Sequence, residues 1–128
     1  MNTKLHTTAA ALVAVITSFA LAADETNPIK DAMKFAHKAP KGEKKLSEKI
    51  IEGNASDEEV KKTLEFYKGM VNSKPPKGDE ADFKAKVTKL VASLEEVVAK
   101  KPDAITHYKT AVDCKACHSE HKSDPPKP

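Results

Sequence analysis

Two cysteines and a histidine lie close together near the C-terminus, in the segment Cys114-Lys115-Ala116-Cys117-His118. On a helix, residues three and four positions apart share one face, so both thiols and the imidazole project to the same side. Two thiols at this spacing can add to the two vinyl groups of one porphyrin edge, and the imidazole can reach the iron. The C-x-x-C-H pattern therefore predicts one covalently bound haem c, tethered by Cys114 and Cys117, with His118 as the proximal iron ligand.

The same residues leave two other chemistries open. A redox dithiol of the thioredoxin type requires a βαβ context, and the chain contains no segment with the pattern of a strand. A structural zinc site requires four ligands, which Cys114, Cys117, His118 and His121 could supply. We favour haem because the chain also carries an export signal, and c-type haem is attached outside the cytoplasm.

That export signal is the N-terminal segment, residues 1–22. Lys4 is its one charged residue, an apolar stretch runs from about Ala9 to Ala22, and Ala20-Leu21-Ala22 has the small-x-small form of a cleavage site. These features predict a signal peptide. The stretch is too short for a stable membrane span. We therefore expect a periplasmic or otherwise exported protein without stable membrane insertion.

Composition narrows the function classes. The 22 basic residues, all of them lysine, nearly balance 19 acidic ones, for a formal net charge of +3. This net charge is small, and the lysines are interleaved with acidic residues along the sequence. Neither feature indicates a nucleic-acid-binding protein. No acid–base pair or nucleophile constellation stands out, so we do not expect an enzyme.

The remaining pattern predicts an all-α fold, an antiparallel up-and-down helical bundle with covalent haem on its C-terminal helix. Pro28 opens the first helix, and Ser56-Asp57-Glu58-Glu59 is a capping box that opens another. The last helix is predicted from about Asp103 to His121. We expect residues 23–123 to form the haem domain and residues 124–128 to form a disordered tail. Further apolar positions at helical spacing are Leu46, Ile50 and Ile51, then Phe83, Val87, Leu90 and Leu94.

An exported chain with one C-x-x-C-H on its last helix resembles the class II cytochromes c, the cytochrome c′ group and its low-spin relatives. The resemblance also rests on the first-helix segment that contains Met33. It implies a four-helix bundle, and it implies Met33 as distal ligand, since the low-spin members use a methionine of the first helix. The family often has an aromatic residue and an arginine after the motif. Here His121 and Lys122 follow it, so lysines would have to hold the haem propionates.

Helical spacing in the first helix also offers candidates for the second, distal iron ligand. Met33 and His37 are four residues apart and can both face the haem, but they lie one turn apart, so only one can bind the iron. Met33 is our first choice because a thioether with a histidine suits an electron carrier. A vacant site, His37, Met70 and His121 are the alternatives, with His37 and His121 more naturally at the haem rim.

Together these features predict a soluble monohaem cytochrome c that carries single electrons between redox partner proteins. The alternative is a five-coordinate, cytochrome c′-like protein that binds NO or CO, with Met33 as core packing. Bundles of this group are often dimeric, so a homodimer stays open.

Overall fold

The computed structural model describes residues 26–125 and 127. The predicted signal peptide, residues 1–22, lies outside the described residues, as do two positions of the predicted tail, 126 and 128. Six helices and no strand are found in the described part, which confirms the all-α class. They are α1 (Pro28–Ala36), α2 (Leu46–Ile51), α3 (Asp57–Met70), α4 (Glu80–Val98), α5 (Ala104–Ala111) and α6 (Cys114–His121). Within this described part, no helix is both long enough and apolar enough to span a bilayer.

Local sequence signals account for several helix starts. The side chain of Asn27 accepts a hydrogen bond from the Lys30 backbone N–H at 3.0 Å, directly before Pro28. At α3, the predicted capping box is confirmed. The Glu59 N–H donates to the Ser56 hydroxyl at 3.2 Å, and the Ser56 N–H donates to the Glu59 carboxylate at 2.8 Å. Each bond satisfies a backbone donor that the first helical turn leaves without an internal partner.

Packing follows chain order along most of the fold. Helix α3 packs against both α1 and α4, and α4 packs against α5. The short α2 contacts α5 and α1. The apolar stripe predicted on α4 lies in the core, with Phe83, Val87, Leu90 and Leu94 all buried. Tyr67 of α3 and Tyr108 of α5 are the largest fully buried side chains.

The prediction of one continuous helix from about Asp103 to His121 is wrong. Helix α5 ends at Ala111, Val112 leaves helical geometry (φ −82°, ψ 57°), and α6 begins at Cys114 with Asp113 as its N-cap. The Asp113 side chain accepts a hydrogen bond from the Ala116 N–H at 2.9 Å, so the new helix has its own N-cap. As a consequence, the C-x-x-C-H residues belong to a separate eight-residue helix and not to the end of α5.

Candidate functional site

A cavity of about 500 Å³ lies between α1, α4 and α6. Cys114, Cys117 and His118 of α6 line it, and so does Met33 of α1. Its volume falls within the range of about 300–1,000 Å³ typical of small-molecule and cofactor sites. Four residues that sequence analysis selected from two distant segments therefore border the same space.

Helices α1 and α6, which carry the candidate ligands, are held in place by different helices. Helix α1 packs on α2 and α3, whereas α6 packs on α4. The apolar wall between them comes mainly from α4, whose buried Phe83, Val87 and Leu90 line the cavity. Met70, at the end of α3, adds a further apolar contact and is buried. The cavity is thus apolar on the core side, as a hydrophobic macrocycle requires.

The two cysteines are free thiols on the cavity wall. Cys114 is exposed, and Cys117 is partly buried. Burial raises the pKa of the Cys117 thiol, and the positive charge of Lys86 opposes that shift. His118 is exposed on the same helix, four residues after Cys114. The motif therefore presents two thiols and one imidazole at the accessible side of the cavity.

Lysines dominate the charged lining of the cavity. Asp113 is the one carboxylate among the lining residues. The lysines are Lys30, Lys34, Lys38, Lys86 and Lys122. Of these, Lys86 forms an ion pair with Asp82. A positive rim above an apolar wall suits an amphipathic ligand that carries carboxylates at one edge.

His37 lines the cavity but has a partner on its core side. Its Nε2 lies 2.9 Å from the Tyr67 hydroxyl, which in turn lies 2.8 Å from the Tyr108 hydroxyl. Burial, together with the charges of His118 and Lys45, lowers the pKa of His37 to about 4. Burial also raises the pKa of Tyr108 to about 12 and that of Tyr67 well above its ordinary value. At neutral pH the three groups are uncharged.

His121 is buried, with 3% of its surface exposed, and both of its ring nitrogens face protein oxygens. Nε2 lies 2.9 Å from an Asp82 carboxylate oxygen, and Nδ1 lies 3.2 Å from the Lys77 carbonyl oxygen. The ring also meets Phe83 edge-on at 5.3 Å between centroids. Hydrogen bonds from Lys86 and His121 keep the pKa of the Asp82 carboxyl below its usual range. His121 thus joins α6 to α4 and the preceding loop, and its nitrogens are engaged by the protein itself.

The remaining histidine of the described helices lies away from the cavity. His107 is exposed, pairs with Glu96 and does not line the cavity. Among the residues that the structure describes, no three His, Cys, Asp or Glu side chains converge as a metal-binding group. A second depression of about 400 Å³, between α1, α2 and α3, contains none of the candidate site residues.

Sequence analysis missed two features of this site. The first is the set of hydrogen bonds that connects His37, Tyr67 and Tyr108. A signal for it exists, because a buried tyrosine requires a partner for its hydroxyl and the sequence contains only two tyrosines. The second is Gly78, whose φ is +81°. A Cβ placed there would lie 2.6 Å from the Glu120 carbonyl oxygen and 2.7 Å from His121 Nδ1. Gly78 is therefore needed for the close approach of this loop to α6.

Comparisons with protein-family models, with curated proteins and with solved structures found no match for this chain.

Proposed function

We propose that this protein is an exported monohaem c-type cytochrome, not an enzyme, that carries single electrons between redox partner proteins. Cys114 and Cys117 hold the haem through thioether bonds, and His118 is the proximal iron ligand. Met33 is the distal ligand. The resemblance to the class II cytochromes c supports the same assignment and extends it to a four-helix-bundle arrangement.

One observation carries the proposal. Cys114, Cys117 and His118 line a cavity of about 500 Å³ together with Met33, although Met33 lies 81 positions before Cys114 in the chain. The donor set is that of a low-spin cytochrome, because two thiols, an imidazole and a thioether border one apolar space. The zinc alternative is less well supported, because both ring nitrogens of His121 are engaged by Asp82 and Lys77.

When bound, the haem supplies a one-electron couple at its iron. The chain's own residues do the rest. Phe83, Val87 and Leu90 are buried and line the cavity, so they would keep water away from a bound haem. Lysines at the cavity rim would neutralise the propionates as point charges, since the chain contains no arginine. With Met33 and His118 as its ligands, the iron would be stabilised in the reduced state, which would raise the reduction potential.

The first experiment asks whether haem is attached. The full chain is expressed in a bacterial host that exports it and attaches c-type haem, and the mature protein is examined by mass spectrometry and optical spectroscopy. We expect the mass of one covalent haem and a low-spin spectrum. A colourless protein whose two thiols are both open to alkylation would refute the proposal.

The second experiment tests the distal ligand. Met33→Leu conserves volume but removes the sulfur, and Met70→Leu is the matched control because Met70 lines the same cavity. We expect Met33→Leu to lose the low-spin spectrum and Met70→Leu to retain it. An unchanged spectrum for Met33→Leu would eliminate Met33 as ligand. A rapid spectral shift when carbon monoxide is added to the ferrous wild type would favour the gas-binding alternative over electron transfer.

A further inference from the structure

Helix α1 and its C-cap bring two potential iron ligands to the same cavity. Met33 and His37 are one helical turn apart, and both line it. An uncharged imidazole is a good ligand for haem iron, so the presence of Met33 alone does not explain why His37 would not compete. Some feature of the protein has to decide between the two.

The hydrogen-bonded chain behind His37 is such a feature. Tyr67 and Tyr108 have no exposed surface, and their hydroxyl oxygens lie 2.8 Å apart. The Tyr67 hydroxyl also lies 2.9 Å from His37 Nε2. Within residues 26–125, the Tyr108 hydroxyl has no hydrogen-bond partner besides Tyr67, whereas the Tyr67 hydroxyl has two.

The number of hydrogen-bond donors determines the direction of the hydrogen bonds that connect His37, Tyr67 and Tyr108. If His37 donated to Tyr67, and Tyr67 donated to Tyr108, the buried hydroxyl hydrogen of Tyr108 would have no acceptor. In the opposite direction, Tyr108 donates to Tyr67 and Tyr67 donates to His37 Nε2, so every hydroxyl hydrogen is used. A buried donor without an acceptor is costly, whereas an unused acceptor lone pair costs less. The second direction is therefore favoured.

We propose that Tyr67 selects the distal iron ligand by donating its hydroxyl hydrogen to Nε2 of His37. A neutral imidazole has one N–H and one lone pair. With its proton on Nδ1 and its lone pair engaged by Tyr67, His37 has no lone pair for iron, and Met33 is left as the ligand. The Tyr67 oxygen in turn accepts a hydrogen bond from the Tyr108 hydroxyl, so the buried Tyr108 donor is also satisfied. This inference rests on the proposed function for its role, but the tautomer itself does not depend on haem.

The first test measures the tautomer directly. Nitrogen-15 NMR of histidine-labelled protein distinguishes a protonated ring nitrogen from one that accepts a hydrogen bond. In the ferrous wild type we expect His37 to carry its proton on Nδ1 and to accept at Nε2. Protonation of Nε2 would overturn the proposal. If the protein proves colourless, the proposed function fails, yet this measurement still decides the tautomer.

The second test separates the two hydroxyls. Tyr67→Phe removes the donor to His37, whereas Tyr108→Phe removes a hydroxyl from the same buried pair and leaves Tyr67 free to donate. We expect Tyr67→Phe to weaken the thioether–iron absorption of Met33 and to lower the reduction potential, because a second imidazole replaces the thioether. Tyr108→Phe should retain both properties. Adding His37→Gln to Tyr67→Phe should restore the absorption. Identical spectra and potentials for the two single variants would overturn the proposal.

Discussion

Replacing His121 tests whether one buried ring holds the C-x-x-C-H helix in place. Helix α6 has only eight residues, and α4 is the helix it mainly packs against. His121 is its one buried residue. His121→Ala removes a buried ring and its hydrogen bonds to α4 and the preceding loop. The lost burial and hydrogen bonds together should reduce the free energy that holds α6 in place by about 3 kcal/mol. A destabilisation of this size raises the open population of α6 about a hundredfold.

The matched control is His107→Ala. His107 also pairs with a carboxylate, that of Glu96, but 56% of its side chain is exposed. An exposed pair of this kind contributes less than about 1 kcal/mol. The contrast between the two variants therefore isolates burial, because residue type and partner type are the same.

Hydrogen exchange of the α6 backbone amides is the assay, read against amides in the middle of α4. We expect His121→Ala to speed exchange in α6 by about a hundredfold and His107→Ala to leave it within severalfold of wild type. The position of the low-spin absorption bands should stay the same in both variants, because neither histidine is proposed to bind iron. Equal effects of the two variants on α6 would refute the reasoning, and a change of iron ligation in His121→Ala would make His121 a ligand.

Two further predictions concern the same region. Gly78→Ala should destabilise the protein by at least about 1 kcal/mol more than Gly42→Ala in urea denaturation. Both glycines have positive φ, but a Cβ at Gly42 meets nothing within 4 Å. If the two variants had the same free energy of unfolding within the error of the measurement, the close approach at Gly78 would be contradicted. For His37, whose pKa the fold lowers to about 4 from 6.5, the unfolded chain binds a proton that the folded chain does not. The free energy of unfolding should fall as pH drops from about 6.5 to 4, and His37→Gln should remove about one proton from that dependence; an unchanged dependence would contradict the burial of His37.

The helix starts could be predicted from sequence because their signals are local. Ser56 and Glu59 form a capping box that needs no other part of the chain, and Asn27 with Pro28 acts over four residues. Asp113 carries the same kind of signal, since aspartate is a favoured N-cap. The apolar residues Ile105, Tyr108 and Val112 are nevertheless spaced as in one continuous helix, so the spacing and the N-cap signal conflict here.

The partners of His37 and His121 could not be predicted in this way. His37 meets Tyr67 across 30 positions, and His121 meets Asp82 across 39. Such contacts depend on how α1 packs on α3 and how α6 packs on α4, and helical spacing within one segment carries no information about them. The candidate ligands can therefore be predicted from motif and helical spacing, whereas the groups that hydrogen-bond to His37 and His121 cannot.

The break between α5 and α6 explains how the C-x-x-C-H segment lines the cavity. Successive residues of an α-helix point about 100° apart, so four consecutive residues of an unbroken helix face all sides. Ala111, Val112, Asp113 and Cys114 nevertheless all line the same cavity. This is possible because the chain leaves helical geometry at Val112 and α6 starts at Cys114, after the N-cap Asp113. The break therefore allows residues on both sides of it, including Cys114, to line the space that Met33 borders from α1.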